Sequence, residues 1–326
     1  MGENMVARAL ACSALLLVGT AAPSWSQTYP SKPVRVVVGY APGGSVDTTA
    51  RIFAPKVSAD LGQQFVVENR AGAASNIAGE FVAKAPPDGY TLLWSSGPAL
   101  GTNMAFYQKM AFNPLKDFTP IALLLYQSNG LVVNPRVPAK SVKELIALAR
   151  ARPGELNYGS AGSGSSQHMT AELFGKMTGV KLVGVAYKGG APALVDLIGG
   201  QIDLVFSPLP EVIPYIQAGR VRPLAVSGAK RSPALPDVPA LGETVPGFAF
   251  EGFLGVVGPA GLPPEVVTRL NAAFNKALQD TDIRKRLTDL GLGLAGGTPE
   301  QLHAHMKDQT AQMIRIAKES GLKPLD

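Results

Sequence analysis

Two glycine-rich segments of the sequence contain the residue types of an anion-binding site. The first contains Pro42, Gly43, Gly44 and Ser45, and it follows the β-branched run 34–38. A run that stops at such a turn and continues with helical spacing predicts a strand, a tight loop and a helix start. The first N–H groups of a helix lack partners, and the helix dipole places about half a positive charge there. A carboxylate or a phosphate can therefore bind this segment without a Lys or Arg side chain.

Physical reasons explain why these residue types occur in the first loop. Ser45 is predicted to cap the helix, and Asp47 lies in the first turn, where the helix dipole favours an acid. The glycines allow positive φ values and a close approach of a ligand to the main chain. Many α/β proteins begin with a turn of this kind that binds nothing, so the loop alone leaves both interpretations open. Neither of the two glycine-rich nucleotide-binding patterns fits it.

The same arrangement occurs again in the second half of the chain. Residues 156–159 predict a strand, and residues 160–168 predict a glycine-serine loop and a helix start. Loops that contain Asn76, Ser95 and Lys188 also follow predicted strands. In open α/β sheets ligands bind beyond the carboxyl ends of the strands, so we expect these loops to surround one cleft. The candidate ligand-binding residues are Tyr40, Ala41, Pro42, Gly43, Gly44, Ser45, Asp47, Asn76, Ser95, Ser160, Gly162, Ser163, Gly164, Ser165, Ser166 and Lys188.

Several nearby side chains have two interpretations each. Tyr40 and Trp94 end predicted strands, so they either form an aromatic wall around a ligand or pack under loops. Arg70 is either a bidentate clamp on a carboxylate or half of a structural ion pair. Lys188 either contacts a ligand or is solvated.

The sequence does not predict a catalytic or a metal site. His168 and Glu172 share one helix face, but no third metal ligand is evident, so a capping or hydrogen-bonding role is favoured. His303 and His305 point to different faces of a helix. The serines of 163–166 lack the G-x-S-x-G elbow of hydrolases. We therefore expect no catalytic residues, no metal and no cofactor, and an exported enzyme is the least favoured class.

Composition and the N-terminal segment indicate an exported globular protein. The formal charge is +6, but no Lys/Arg cluster exceeds the short run 284–286, so nucleic acid is not an expected partner. Arg8 is followed by the apolar run 9–22 and by small residues, which predicts a signal peptide over residues 1–26 with cleavage after Ser26, or alternatively after Ala22. An uncleaved anchor is the alternative interpretation of this segment. The single cysteine, Cys12, lies in this segment. A mature chain without cysteine indicates the bacterial periplasm, and we expect a monomer.

Strands and helices alternate along the chain, which predicts parallel sheets with crossover helices. The apolar passage 120–134 is broken by polar residues at 127–130, where we predict that two strands meet and the chain enters a second lobe. The return is predicted within 233–257, and the last helix is predicted from Thr298 to about Glu319 on the first lobe. The predicted boundaries are 27–127 and 248–326 for lobe 1 and 128–247 for lobe 2.

Several motifs together resemble one receptor family over essentially the whole mature chain. The chain resembles the tripartite tricarboxylate transporter receptors, also called Bug proteins, at 33–51, 68–72, 87–92, 158–168, 187–190 and 200–203. One departure is Tyr40, where the family commonly has Phe. A second is the pair Ser165-Ser166, where Gly-Thr or Ser-Thr often occurs.

This resemblance implies a class II periplasmic-binding-protein fold, in which two doubly wound α/β lobes are joined by two crossover strands. It also implies a small organic carboxylate as ligand, held by main-chain amides and small hydroxyls at 40–45 and 160–167, and permease subunits of a membrane transporter as partners. A sensor subunit for a signalling kinase is the alternative, because partner surfaces cannot be identified from the sequence.

Overall fold

The computed structural model describes residues 29–319 of the chain. The predicted signal segment and its cleavage site lie outside these residues. The strands are β1 (Val34–Val38), β2 (Phe65–Asn69), β3 (Thr91–Ser96), β4 (Phe118–Val133), β5 (Asn157–Ser160), β6 (Val183–Ala186), β7 (Leu204–Pro208), β8 (Arg222–Val226), β9 (Glu251–Pro259) and β10 (Leu292–Leu294). The helices are α1 (Ser45–Leu61), α2 (Asn76–Ala83), α3 (Val142–Ala151), α4 (Ser166–Thr178), α5 (Gly190–Gly199), α6 (Leu209–Gln217), α7 (Pro264–Gln279), α8 (Thr281–Asp289) and α9 (Pro299–Glu319).

The strands form two α/β lobes that share β4. In the first lobe the strand order is β2-β1-β3-β9-β4, with β10 also paired to β4. In the second lobe β4 is followed by β7, β5 and β6, and β8 pairs with β4 as well. The β1–β2, β1–β3, β5–β6 and β5–β7 pairs are parallel, as the alternation of strands and helices predicts. Strands β9 and β4 run antiparallel to their neighbours.

The prediction of two strands meeting at residues 127–130 is wrong, because β4 is one continuous strand of 16 residues. Its Phe118–Ser128 part pairs with β9, and its Asn129–Val133 part pairs with β7. The polar residues do not break the strand, because they are bonded to neighbouring segments. The Ser227 N–H donates to the Asn129 carbonyl at 2.7 Å, and the Asn129 side chain donates to Thr170 Oγ1 at 2.7 Å.

The chain returns to the first lobe immediately before β9. The Phe250 N–H donates to the Ser227 carbonyl at 2.8 Å, and the Ser227 hydroxyl donates to the Phe250 carbonyl at 2.7 Å. Ser227 therefore ties the outgoing strand β4 to the returning segment at one point. Both connections between the lobes are held there by main-chain hydrogen bonds.

Each lobe has its own hydrophobic core. Trp94, Phe53 and Phe274 pack together between the first sheet and helices α1 and α7. The centroid of the Trp94 ring lies 5.1 Å from that of Phe53 and 5.9 Å from that of Phe274. Trp94 is 1% exposed, and its indole N–H donates to Thr49 Oγ1 at 3.2 Å. Trp94 is thus a core residue and not part of an aromatic wall around a ligand. Tyr158, Phe174 and Phe206 belong to the second core.

Helix α9 begins after Thr298 and packs on the first lobe, as predicted. Leu302 and Met306 are buried in a cluster with Phe253 of β9. Further along, Met313 is buried with Met169 of α4, which belongs to the second lobe. The last helix therefore contacts both lobes. Among the helices within 29–319, none is long and apolar enough to cross a membrane.

Candidate ligand-binding cleft

A cleft lies between the lobes at the carboxyl ends of their parallel strands. The first lobe lines it at the N-terminus of α1 and the second at the N-terminus of α4. Its lining residues are mostly small or polar, and they comprise Tyr40, Ala41, Gly44, Ser45, Val46, Ser96, Gln127, Ala161, Ser165, Ser166, Gln167, Gly190, Pro208 and Glu211. Glu211 is the one carboxylate in this set, and no Lys, Arg or His of the described residues belongs to it.

The loop before α1 is held in shape by Asp47. Its carboxylate accepts the Gly43 N–H at 2.9 Å and also hydrogen bonds from Arg51 and Asn69. Burial alone would raise the pKa of Asp47, but the hydrogen bonds from Arg51, Gly43 and Asn69 outweigh it and hold the pKa below its usual value. Asp47 therefore stays ionised and braces the loop from behind.

The N-terminus of α1 is capped differently from the prediction. Gly44 is the N-cap residue, and Ser45 is the first residue of the helix. The prediction that Ser45 caps the helix is wrong, because its hydroxyl donates instead to Gln127 Oε1 on β4 at 2.8 Å. The Ser45 N–H lies in the first turn of α1 and has no partner within the helix. It donates to Glu211 Oε1 at 3.0 Å. This hydrogen bond joins the two lobes.

Tyr40 contributes a phenol at the edge of the cleft. The Ser96 hydroxyl donates to Tyr40 Oη at 3.2 Å, and the Tyr40 carbonyl accepts from the Asn69 side chain at 3.0 Å. Burial raises the pKa of the Tyr40 phenol above its usual value, with the Ser96 hydrogen bond opposing the shift. Tyr40 is therefore a neutral hydrogen-bonding group.

The N-terminus of α4 forms the opposite wall. Ser165 caps the helix by accepting the His168 N–H at 3.3 Å. The Gln167 carboxamide accepts the Ala161 N–H at 2.5 Å and donates to Ser207 Oγ at 2.9 Å and Glu211 Oε2 at 3.2 Å. Gln167 thus connects the glycine-serine loop to the start of α6.

The two walls touch, so the structure is in a closed form. Tyr107 of the first lobe donates to the Ser163 carbonyl at 3.3 Å. A Cβ added at Gly164 would lie 2.6 Å from Asn103 Oδ1, and one added at Gly189 would lie 3.2 Å from the Ala41 Cβ. The free volume left in the cleft is about 20 Å³, which is room for about one water molecule. A larger ligand requires the lobes to separate.

A strained turn of the first lobe lies close to the second-lobe loop. Ala73, Ala74 and Ser75 have φ values of 46°, 47° and 74°. Left-handed conformations cost a non-glycine residue about 1–2 kcal/mol each. The turn is fixed by the Asn103 side chain, which donates to the Ala74 carbonyl at 3.1 Å, and by the Ser75–Ser95 hydroxyl contact of 3.0 Å. A Cβ added at Gly162 would lie 3.9 Å from the Ala74 nitrogen.

The predicted site residues divide into two groups. Those that line the cleft are Tyr40, Ala41, Gly44, Ser45, Ser165 and Ser166. Those that support its loops or lie outside it are Pro42, Gly43, Asp47, Asn76, Ser95, Ser160, Gly162, Ser163, Gly164 and Lys188, of which Pro42, Gly43 and Lys188 are exposed. Asn76 Oδ1 accepts from the Asn103 side chain at 2.7 Å, and the Ser160 carbonyl accepts the Tyr187 N–H at 2.9 Å.

Sequence reasoning missed the contribution of β4 and α6. Gln127 and Glu211 both reach the cleft from segments that carry no glycine-rich motif. The signal for Glu211 was its position just after β7, because the end of β7 lies at the same sheet edge as the end of β5. Gly190 lies against the Glu211 and Gln167 side chains, since an added Cβ would overlap Glu211 Oε2 and lie 2.6 Å from Gln167 Nε2.

The open alternatives for Arg70 and for His168 are answered by their contacts. Arg70 donates to Glu68 Oε1 at 2.7 Å and lies 3.6 Å from the centre of the Phe81 ring, so it is part of a structural ion pair. His168 Nδ1 accepts the Gly164 N–H at 3.1 Å, and Nε2 lies 4.0 Å from Glu172 Oε1. Within 29–319 no three His, Cys, Asp or Glu side chains are grouped as a metal site would need.

Burial of His168 makes the free energy of unfolding depend on pH. Burial lowers the pKa of His168 below 6.5, while Glu172 opposes the shift. The unfolded chain therefore takes up this proton more readily, and we expect the free energy of unfolding to fall as the pH drops below about 6.5. One proton contributes at most about 1.4 kcal/mol per pH unit.

Urea unfolding between pH 5 and 8 measures this effect. We expect His168→Gln to reduce the slope of the free energy of unfolding against pH. Burial also lowers the pKa of His305, so part of the slope persists in the His168 variant. An identical slope in wild type and His168→Gln would contradict the assignment of Nδ1 as acceptor.

Comparison with known proteins places this architecture in a family. A family model described as the tripartite tricarboxylate transporter family receptor matches residues 49–322. Among solved structures, Rpa4515 of R. palustris with adipate is 39% identical, with a TM-score of 0.89 over 91% of this chain and 100% of that one. The periplasmic binding protein BugD is 32% identical, with a TM-score of 0.88 over 91% and 100%. MatC from Rhodopseudomonas palustris with bound malate is 33% identical, with a TM-score of 0.85 over 89% and 100%.

These findings confirm the resemblance and the two-lobe fold that it implied. The family match covers most of the chain, and the similarity to the solved structures extends over both lobes. The chain belongs to the tripartite tricarboxylate transporter receptor family.

Proposed function

We propose that this protein is an extracytoplasmic solute receptor that binds a small organic carboxylate between its lobes and delivers it to the permease subunits of a tripartite tricarboxylate-type transporter. The observation that carries the proposal is that α1 and α4, from different lobes, direct their N-termini at one cleft of small and polar residues. Helix N-termini bind anions through main-chain N–H groups and the helix dipole.

The relatives support a carboxylate as the ligand class. Rpa4515 and MatC hold adipate and malate, which are small carboxylates. The cleft of this chain contains groups that bind a carboxylate, because the N-terminus of α4 at Ser165 and Ser166 and, once the Ser45 N–H is released from Glu211, the first turn of α1 offer N–H groups to an anion. Binding would favour the closed form, which the permease would then recognise.

The remaining expectations from the sequence are part of this proposal. Residues 1–26 are a cleaved signal peptide that directs the protein to the periplasm. The lobes comprise 27–127 with 248–326, and 128–247. The mature protein acts as a monomer, without a cofactor, and it does not bind nucleic acid.

Titration calorimetry against C3 to C8 mono- and dicarboxylates tests the ligand class. Emission of Trp94 is a poor readout, because this residue is buried in the first core away from the cleft. We expect micromolar or tighter binding of at least one carboxylate, and none of the corresponding neutral amides. Deletion of the gene should abolish uptake of that carboxylate, whereas retained uptake with lost gene induction would favour the sensor function.

A further inference from the structure

The hydroxyl of Tyr40 has one hydrogen-bond partner and can form a second bond. The Ser96 hydroxyl donates to Tyr40 Oη at 3.2 Å, and in this geometry Ser96 is the donor. A phenol can accept one hydrogen bond and donate another. Among residues 29–319 no oxygen or nitrogen accepts the hydrogen of Tyr40 Oη. This hydrogen is therefore available to a molecule that enters the cleft.

The fold places this donor in the wall of the cleft. Tyr40 and Ser96 both line it, just after β1 and at the end of β3. The Tyr40 main chain is fixed, because its carbonyl accepts from Asn69 Nδ2 at 3.0 Å. The closed cleft has a free volume of about 20 Å³, so bulk water does not reach the phenol. A ligand enclosed here must present an acceptor to Tyr40 or leave a buried donor unpaired, which is costly.

The Tyr40 phenol is a neutral donor at physiological pH. Burial is the largest influence on its pKa and raises it, so the phenol stays protonated. The Ser96 hydrogen bond to Oη polarises the O–H group, because hydrogen bonds in a chain strengthen one another. No Lys, Arg or His of the described residues lines the cleft. A ligand oxygen therefore meets a neutral O–H donor here and not a cation.

We propose that Tyr40 is a specificity-determining residue whose hydroxyl donates to an oxygen atom of the ligand, and that Ser96 acts through it as a positioning residue. The ligand class narrows to carboxylates that place an oxygen acceptor at this wall of the first lobe. That oxygen belongs to the carboxylate itself or to a hydroxyl or carbonyl group of the ligand. A C–H or N–H group at the same point leaves the donor unpaired. This inference rests on the proposed function, because it concerns the same cleft.

Calorimetry with Tyr40→Phe tests the inference, because this substitution removes the hydroxyl and keeps the ring. The probes are succinate, malate, adipate and the tightest-binding member of the C3 to C8 series. We expect the variant to bind them about tenfold more weakly than wild type, since a hydrogen bond to a charged oxygen is lost. Malate is succinate with one added hydroxyl, so a loss confined to malate would support the inference with the ligand hydroxyl as the acceptor.

A double-mutant cycle tests the role of Ser96. Ser96→Ala should weaken binding about threefold when Tyr40 is present and should have no effect in the Tyr40→Phe background, because Ser96 acts only through the phenol. A residue that merely supports the fold, or that binds the ligand directly, would cost the same affinity in both backgrounds. That result would overturn the assignment of Ser96 as a positioning residue.

Tyr90→Phe is the matched control. Tyr90 lies on the first lobe outside the cleft lining, and its hydroxyl accepts the Ser31 N–H at 2.9 Å. This variant should keep wild-type affinity for every probe. Wild-type affinity in Tyr40→Phe would overturn the inference and leave the proposed function standing, and it would mean that the hydroxyl serves only water. A wild-type protein that binds no carboxylate of the series would contradict the proposed function, and the inference would fail with it.

Discussion

Replacing Gly39 with alanine is expected to lower the free energy of unfolding by about 3 kcal/mol. Gly39 follows β1 and packs on the left-handed turn that contains Ser75. A Cβ at position 39 would overlap the Ser75 side chain and lie 2.8 Å from the Ser75 Cα. The main chain of the turn would have to move, and this would also disturb the Ser75–Ser95 contact.

Urea denaturation of single and double variants measures this effect. Ser75→Gly alone should change the free energy of unfolding little, because glycine adopts the φ of 74° more readily than serine and this offsets the lost hydroxyl contact with Ser95. Combined with Gly39→Ala, it should recover part of the lost stability, because the overlapping side-chain atoms are gone. Gly199→Ala is the control, since an added Cβ there meets nothing within 4 Å. Additive effects of the two substitutions would contradict the packing argument.

Replacing Gly44 with valine is expected to weaken carboxylate binding by about 10- to 100-fold, with a loss of stability below about 1 kcal/mol. The φ of Gly44 is −74°, which any residue adopts. An added Cβ would lie 3.3 Å from Glu211 Oε1, and the two γ-methyl groups of valine would extend further into the cleft. The variant should therefore fold but resist closure of the lobes.

Calorimetry and thermal unfolding on the same samples separate these two effects. Gly199→Val carries the same substitution on α5, outside the cleft lining, and should retain wild-type affinity. Full affinity in Gly44→Val would remove the first loop from the binding site. A large loss of stability would show instead that Gly44 is needed for folding.

The regular elements of the fold could largely be predicted from local sequence. Helix α9 begins at Pro299, directly after Thr298, where the sequence predicts the start of the last helix. Strand β4 could not, because polar residues at 127–130 usually indicate a break. Their hydrogen bonds are made to Ser45, Thr170 and Ser227, which are distant in the sequence. Only the tertiary structure supplies these partners.

The candidate site was predictable where a motif marks it and not elsewhere. The glycine-serine loops around Gly44 and Ser165 predict helix N-termini, and both residues line the cleft. Glu211 lies in an ordinary first helical turn, where an acid is common for local reasons. Its contact with Ser45 spans 166 residues and depends on closure of the lobes. The left-handed turn at Ala74 could not be predicted from residue propensities either, because contacts with surrounding residues impose this conformation.

The most direct test of carboxylate capture between the lobes uses three ligands of one chain length. Adipate, its monoamide and its neutral diamide fill the same volume and differ only in charge. We expect calorimetry on the wild-type protein to detect binding of a charged member and none of the diamide, because the helix N-termini stabilise an anion. Binding of the diamide as tightly as the charged members would contradict the account.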